Sequence, residues 1–450
     1  MNIVEKQFKI SENNTKMSKE IINGILIFLP LIYILPVISS TLASVGIDEN
    51  GAFIATAIST GFACIFAGII INKPIIQSVG LGMNAFFVYN ICNKMGYSPE
   101  GALTIIFISS IIFLLFSITN IRKKIILSIP NEIRLAITIG LGAFLIYSGL
   151  KSAGLIVEVN NKLSIANYDE IMVILFILGV IVTYVFSMIK KVSKYSIIIG
   201  IAFVAVVGYI LHLFGINNTP TFTNAKISFA SLSKTVFNFD FSVLSNLKTY
   251  IVIIVFTLMN VFDTSTGILA LHSELGLDSG ENDLVIDKKM FLTDSISSII
   301  SISLGTTSIT TYAETKILCN SDSKTGLSSV TIGILFILSI FLYPIFTIFS
   351  GIMLDGQYYY PITSVGVVSV GIMLLSRIKD IERKNVIGVI STAATVITMI
   401  IFYSIPDGVG VGIILYVILE LLFDKIKEVS KVMIILSVVF VIYFVTLIII

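Results

Sequence analysis

Tryptophan is absent from this chain of 450 residues, and it has only two histidines, His212 and His272, and three cysteines, Cys64, Cys92 and Cys319. So few histidines exclude an HExxH zinc motif and argue against a Ser-His-Asp arrangement. The cysteines form no CxxC and no metal-ligand spacing, and all lie in or beside apolar runs, so they read as small buried hydrophobes. No cofactor and no metal are expected. Charge is scarce as well: 12% of residues are Asp, Glu, Lys or Arg, against about 25% in a soluble domain. A net charge of +2 lacks the basic excess of a nucleic-acid binder, so no nucleic-acid partner is expected.

What fills the space is hydrocarbon. Hydrophobic residues make up 56% of the chain and the mean hydropathy is +1.01, so most of the surface faces lipid. A spanning helix needs about 20 mostly apolar residues. Runs of that kind fall at 21–45, 51–72, 74–93, 100–120, 131–156, 169–189, 195–216, 249–272, 290–304, 305–320, 326–350, 361–377, 385–404 and 408–424. A last run at 431–450 either spans the membrane or lies along its surface. The reading is an all-α polytopic membrane protein with about 14 transmembrane helices. Residues 1–20 are polar, with no small-residue cleavage site, and read as a cytoplasmic tail.

Positive charges favour the cytoplasmic side. With the N-terminus inside, only Lys94, Lys151, Lys162, Lys226, Lys234 and Lys248 of the 29 Lys and Arg fall outside. A wrong helix count would scramble that bias downstream, so it supports both count and orientation. The longest polar stretch, 217–248, reads as an extracellular loop with seven segments on either side. An odd number per half forces opposite orientations, the arithmetic of an inverted repeat. The first repeat is expected over 21–216, the second over 249–425, with a hydrophobic C-terminal segment at 426–450.

Ionisable residues inside a membrane are functional candidates by default. Asp263 lies deep in the eighth segment, Glu314 in the tenth, and Asp294 early in the ninth. Two segments are interrupted at matching places. The third holds Gly80, Gly82 and Asn84 in SVGLGMNAFF; the tenth holds Thr306, Thr307 and Ser308 in GTTSITTYAE. Each is third in its half. Such paired breaks point to a midplane binding site, because irregular backbone in hydrocarbon survives only where it lines a cavity. The expected site therefore comprises Asp263, Glu314, Asn84, Gly80, Gly82, Thr306, Thr307 and Ser308, with backbone N–H groups near Gly80–Gly82 and Thr306–Ser308 offered to a polar solute. Phe86, Phe87 and Phe262 are candidate stacking rings.

At these residues the sequence resembles the xanthine/uracil permease superfamily, in particular its adenine/guanine/hypoxanthine permease branch. The similar stretches are KPIIQSVGLGMNAFFVYN (73–90), VFDTSTGILA (261–270), DSISSIISISLGTTSITTYAE (294–314) and KTGLSSVTIGILFILSIFLYPI (324–345). The resemblance implies two inverted seven-helix repeats, a core (21–120 and 249–350) and a gate (131–216 and 361–425), and short extended strands in segments three and ten. It implies Asp263 and Glu314 as substrate carboxylates, Asn84 as their polar partner, and proton-coupled import of a purine nucleobase through a cell membrane by elevator-like motion. Asp263 and Glu314 are the expected proton carriers, Asp263 first because its surroundings are more apolar. Expected partners are the purine and the lipid bilayer, with a homodimer as a further candidate.

Two departures bear on specificity. The branch has Asn-Pro in the first helix where this chain has Ile38-Ser39, and Glu-Ser followed by small residues where it has Glu314-Thr315-Lys316-Ile317-Leu318. Lys316 places a cation two residues from a proposed substrate carboxylate. An anion carrier of the same topology is the nearest alternative, opposed by the like charge of two embedded carboxylates. An intramembrane hydrolase built on Asp263 and Asp294, or on a serine, is remote, since neither GxGD nor GxSxG occurs.

Overall fold

Backbone polar groups in hydrocarbon must be satisfied within the chain, and the computed structural model meets that demand almost wholly with helices. It describes residues 3–119, 121–159, 162–165, 170–222, 226–270, 278–279, 283–284, 288–312, 314–320, 323–354, 357–382, 385–423 and 429–449. A short helix α1 (Ile3–Phe8) precedes α2 (Met17–Leu31) and α3 (Ile34–Ala43), which together replace the first expected span. Pro30 and Pro36 flank the break between them, where a missing N–H and a fixed φ interrupt the ladder. Next come α4 (Glu49–Ile71), strand β1 (Gln77–Val79), α5 (Leu81–Ala85) continued by a π-helical stretch over Phe86–Lys94, α6 (Pro99–Ile118) and α7 (Ile121–Ser128). The half ends with α8 (Asn131–Ser152), a hairpin of β2 (Ile156–Val159) and β3 (Lys162–Ile165), α9 (Ile171–Met188) and α10 (Ser196–Leu213).

The second half opens with a single turn α11 (Phe229–Leu232) in the long loop, then α12 (Leu247–Ala270), strands β4 (Asp278–Ser279) and β5 (Asp283–Leu284), and α13 (Lys288–Ser303). Strand β6 (Ile309–Thr311) and α14 (Thr315–Asn320) follow, then α15 (Leu327–Leu338), α16 (Tyr343–Phe346), and a hairpin of β7 (Ile352–Leu354) and β8 (Gln357–Tyr359). Helices α17 (Pro361–Leu375), α18 (Val386–Ile401), α19 (Ile405–Leu422) and α20 (Lys431–Ile449) complete the chain.

Among the described residues, ten helices are long and apolar enough to cross a membrane. The number falls short of the expected fourteen because segments three and ten are strand–helix breaks, while α13 and α18 have 16 residues each. Helix α20 is a further short apolar helix and packs on α19. The N-terminal stretch is docked rather than loose: Asn72 donates to the Phe8 carbonyl (3.0 Å), and Phe8 and Ile10 pack on Leu327.

Two glycine seams hold the helices close, as expected where hydrocarbon gives no hydrophobic drive between them. On α4 and α15, glycines seven residues apart face each other. A methyl group on Gly326 would stand 1.9 Å from the Gly68 carbonyl oxygen, and one on Gly333 would stand 2.6 Å from that of Gly61. On α8 and α17 the contact is reciprocal, Gly142 and Gly371 each meeting the other's carbonyl at 2.7 Å. Helix α13 packs on α4 and α6, and α12 on α6.

Candidate functional site

The two interruptions meet. Strand β1 pairs antiparallel with β6, Gln77 opposite Thr311, Ser78 opposite Thr310 and Val79 opposite Ile309. Two further bonds extend the ladder, Gly80 N–H to the Ser308 carbonyl (2.9 Å) and Tyr312 N–H to the Ile76 carbonyl (3.0 Å). β-branched residues at Val79, Ile309, Thr310 and Thr311 suit the pleat. Each strand leads into a short helix, α5 after Gly80 and α14 after Glu314.

Beside this pair lies a cavity of about 760 Å3, within the range of small-molecule sites. Its inner end holds Asp263, Glu314, Thr310, Thr311, Tyr312 and Tyr33. One wall is apolar: Leu141 and Leu145 from α8 face Val370 and Leu374 from α17. From there the cavity runs out to Asn131, Arg134, Arg377, Lys379 and Asp380 at helix ends. Carboxylates and hydroxyls therefore share the inner chamber with apolar side chains, a composition suited to a flat solute with a polar edge.

Of the expected site residues, Asp263, Glu314 and Gly82 line the cavity. Gly80 stands next to it, a methyl group there coming 3.0 Å from Thr310 Cγ2 and 3.5 Å from Asp263 Oδ2. That Oδ2 is buried with no hydrogen-bond partner, while the Thr310 hydroxyl bonds the same carboxylate. The structure places the other expected residues elsewhere. Asn84 is 2% exposed and is not part of the cavity wall. Thr306, Thr307 and Ser308 are fully buried away from it, because the strand starts later than the hydroxyl run suggests. Thr306 shares a hydrogen bond with Thr56 (3.3 Å), the Thr307 carbonyl accepts from Ser301 (2.6 Å), and Ser308 Oγ accepts from Asn260 (3.3 Å). The N–H groups of Gly80 and Thr306 are also taken, by the carbonyls of Ser308 and Ser301.

Phe262 is the one of the three candidate rings on the cavity wall. Phe86 instead stacks on Phe256 at 5.4 Å, and Phe87 is buried. Asp294 lies outside the cavity and pairs with Arg122, Nη2 to Oδ2 at 2.8 Å, both side chains fully buried. Arg122 also donates to Ser117 (3.1 Å), Thr264 (2.6 Å) and the Phe291 carbonyl (3.3 Å), between the rings of Phe113 and Phe291. Thr264 follows Asp263 directly, so this buried pair fixes the turn of α12 that presents the carboxylate. The side chain of Lys316 lies outside the described residues. Neither Tyr33 nor Arg122 was singled out by sequence reasoning; the prolines around Tyr33 were the available signal for the first.

A bundle of apolar helices with a polar chamber at two paired breaks is a multi-pass membrane protein, and its family makes it a transporter rather than an enzyme. The chain belongs to the Permease family of xanthine and uracil permeases, whose model matches residues 19–405. It is 32% identical to the guanine/hypoxanthine permease PbuG of Bacillus subtilis, covering 98% of this chain and 99% of that one. It is 28% identical to the adenine permease AdeP of Escherichia coli, covering 98% and 95%. Among solved structures it is similar in fold to the transmembrane domain of the cyanobacterial bicarbonate transporter BicA. There the TM-score is 0.60 at 13% identity, covering 87% of this chain and 97% of that domain.

Proposed function

We propose that this chain imports a purine nucleobase, adenine, guanine or hypoxanthine, by symport with a cation, the proton being the expected ion. The observation that carries the reading is the convergence of Asp263 and Glu314 on one cavity, in a chain aligned over nearly its whole length with permeases named for these bases. A purine edge presents N–H donors, and a carboxylate accepts two in parallel through charge-assisted bonds roughly twice as strong as neutral ones. Asp263 and Glu314 bind that edge, while Phe262 and the apolar wall cover the ring faces.

In this reading the N-terminus is cytoplasmic, the mouth at Arg134 and Arg377 opens inward, and the halves form inverted repeats. The seam of α4 with α15 belongs to a core and that of α8 with α17 to a gate, which supports rigid-body motion of one against the other. Proton uptake on Asp263 or Glu314 would neutralise the site for its passage across an apolar barrier.

The test is uptake of radiolabelled hypoxanthine into transport-deficient cells, with competition by adenine, guanine, xanthine and uracil. Saturable uptake displaced by purines is expected; absence of uptake for every base rejects the reading. Collapse of uptake by an uncoupler, without response to a sodium gradient, is expected for proton coupling. The anion-carrier reading draws on the fold likeness to BicA and on the cations at the mouth. Uptake of labelled bicarbonate or sulfate in place of purines would establish it.

A further inference from the structure

Ionised carboxylates accept only from donors, and a proton taken up on Asp263 or Glu314 adds a single O–H donor. Every purine base also carries acceptors (ring nitrogens, and O6 in guanine and hypoxanthine), and burying those unpaired costs free energy. The inner chamber must therefore supply further hydroxyl or amide donors, and two of its four hydroxyls are already engaged. Tyr312 donates to the Val79 carbonyl at 2.7 Å, and Thr310 bonds Asp263. Arg134, Arg377 and Lys379 stand at the outer mouth, away from the strands.

Two hydroxyls of the chamber are left buried without a partner, those of Tyr33 and Thr311. Tyr33 is the more telling. It sits at the break between α2 and α3, is 1% exposed, and lines the cavity within electrostatic range of Glu314 and Tyr312. Its ring lies beside Gly366 of α17, where an added methyl group would come 3.4 Å from Tyr33 Cδ2. A ring buried to this degree, with an unpartnered phenolic O–H, is a donor with little freedom left to lose when the ligand arrives.

We propose that Tyr33 is a specificity-determining residue whose hydroxyl donates a hydrogen bond to one ring or carbonyl acceptor of the bound base. It acts beside the carboxylates that accept from the opposite edge. The inference rests on the purine reading above and adds to it the residue that reads the acceptor side of the ligand. A site built to bond an acceptor discriminates sharply against an analogue lacking it.

The test is equilibrium binding to the purified full chain, wild type and Tyr33→Phe, of hypoxanthine and of analogues lacking in turn O6, N3 or N7. The variant is expected to bind hypoxanthine about 10-fold more weakly, the scale of one unpaired buried acceptor. One analogue should bind the wild type correspondingly weakly and lose nothing further in the variant, while the other two lose as much as hypoxanthine. Because the hydroxyl has no partner before ligand binds, the ligand-free variant should melt no lower than the wild type.

Equal hypoxanthine affinity in the two proteins overturns the inference. So does an equal loss for all four ligands, or a variant that melts lower or fails to fold, since the hydroxyl would then be a structural bond. A wild type that binds no purine rejects the purine reading itself, a result distinct from each of these.

Discussion

Asp263 and Glu314 reach the same chamber from different places in the chain, one from the second half of α12 and the other from the turn just before α14. Glu314→Gln and Asp263→Asn keep size and remove charge, so each should weaken hypoxanthine binding by about 10- to 100-fold, the scale of a lost charge-assisted bond. Unchanged affinity in both would remove the carboxylates from the site. The buried ion pair makes a different demand. Arg122→Met leaves Asp294 charged and unpaired, which costs about 3–5 kcal/mol, whereas replacing both partners by apolar residues is close to neutral. Melting of Arg122→Met should therefore fall by many degrees, and Arg122→Met with Asp294→Leu should recover most of it. A double variant no better than the single would show that Arg122 acts through Thr264 and Ser117 instead. Depth in an apolar run was enough to mark Asp263, Glu314 and Asp294 in the sequence. Their surroundings were not legible, because Arg122 lies 172 residues from its partner and no local spacing records the pair.

Elements were more legible than their register. The run of hydroxyl and β-branched residues in 306–312 located a break in the tenth segment, and Gly80 and Gly82 located the one in the third. Where the strands start is decided by pairing across 230 residues of chain, and that put Thr310 and Thr311, not Thr306 and Thr307, on the cavity wall. The same limit hid Tyr33, since the first apolar run keeps a mean hydropathy of 2.5 despite the prolines at 30 and 36. Glycine seams belong to this scale too. Gly326→Ala drives a methyl group into the Gly68 backbone at 1.9 Å, and a backbone atom cannot yield as a side-chain tip does. We expect a loss of about 3 kcal/mol or more, at or beyond the upper end of core overpacking, seen as a lower melting temperature in detergent. An unchanged midpoint would mean that α4 and α15 separate without penalty.

For the molecule as a whole, the cavity is reached past the helix ends at Arg134 and Arg377, while contacts at another set of helix ends tie the elements together. At the end of the π-helical stretch, Lys94 bonds Asp407 and the Phe402 carbonyl, each at 2.8 Å, and Asn90 bonds the Tyr403 carbonyl at 2.8 Å. Tyr443 of α20 donates to the other oxygen of Asp407 at 2.8 Å, so the last helix braces the same carboxylate. Under the proposed core–gate motion, these bonds join the two bodies and must break when the site faces the opposite side. The Lys94 side chain is 38% exposed, which limits its ion pair to about 1 kcal/mol. A shift of that size changes a two-state ratio about 5-fold, as RT is about 0.6 kcal/mol. Cys92, 8% exposed and two residues from Lys94, is a native reporter of this region. Lys94→Met should therefore raise the rate of maleimide reaction at Cys92 about 5-fold, and added hypoxanthine should alter that rate if the site and the closure are linked. An unaltered rate in the variant would show that the closure is held by the Asn90 bond and aromatic packing alone, and that Lys94 does not set which side the cavity faces.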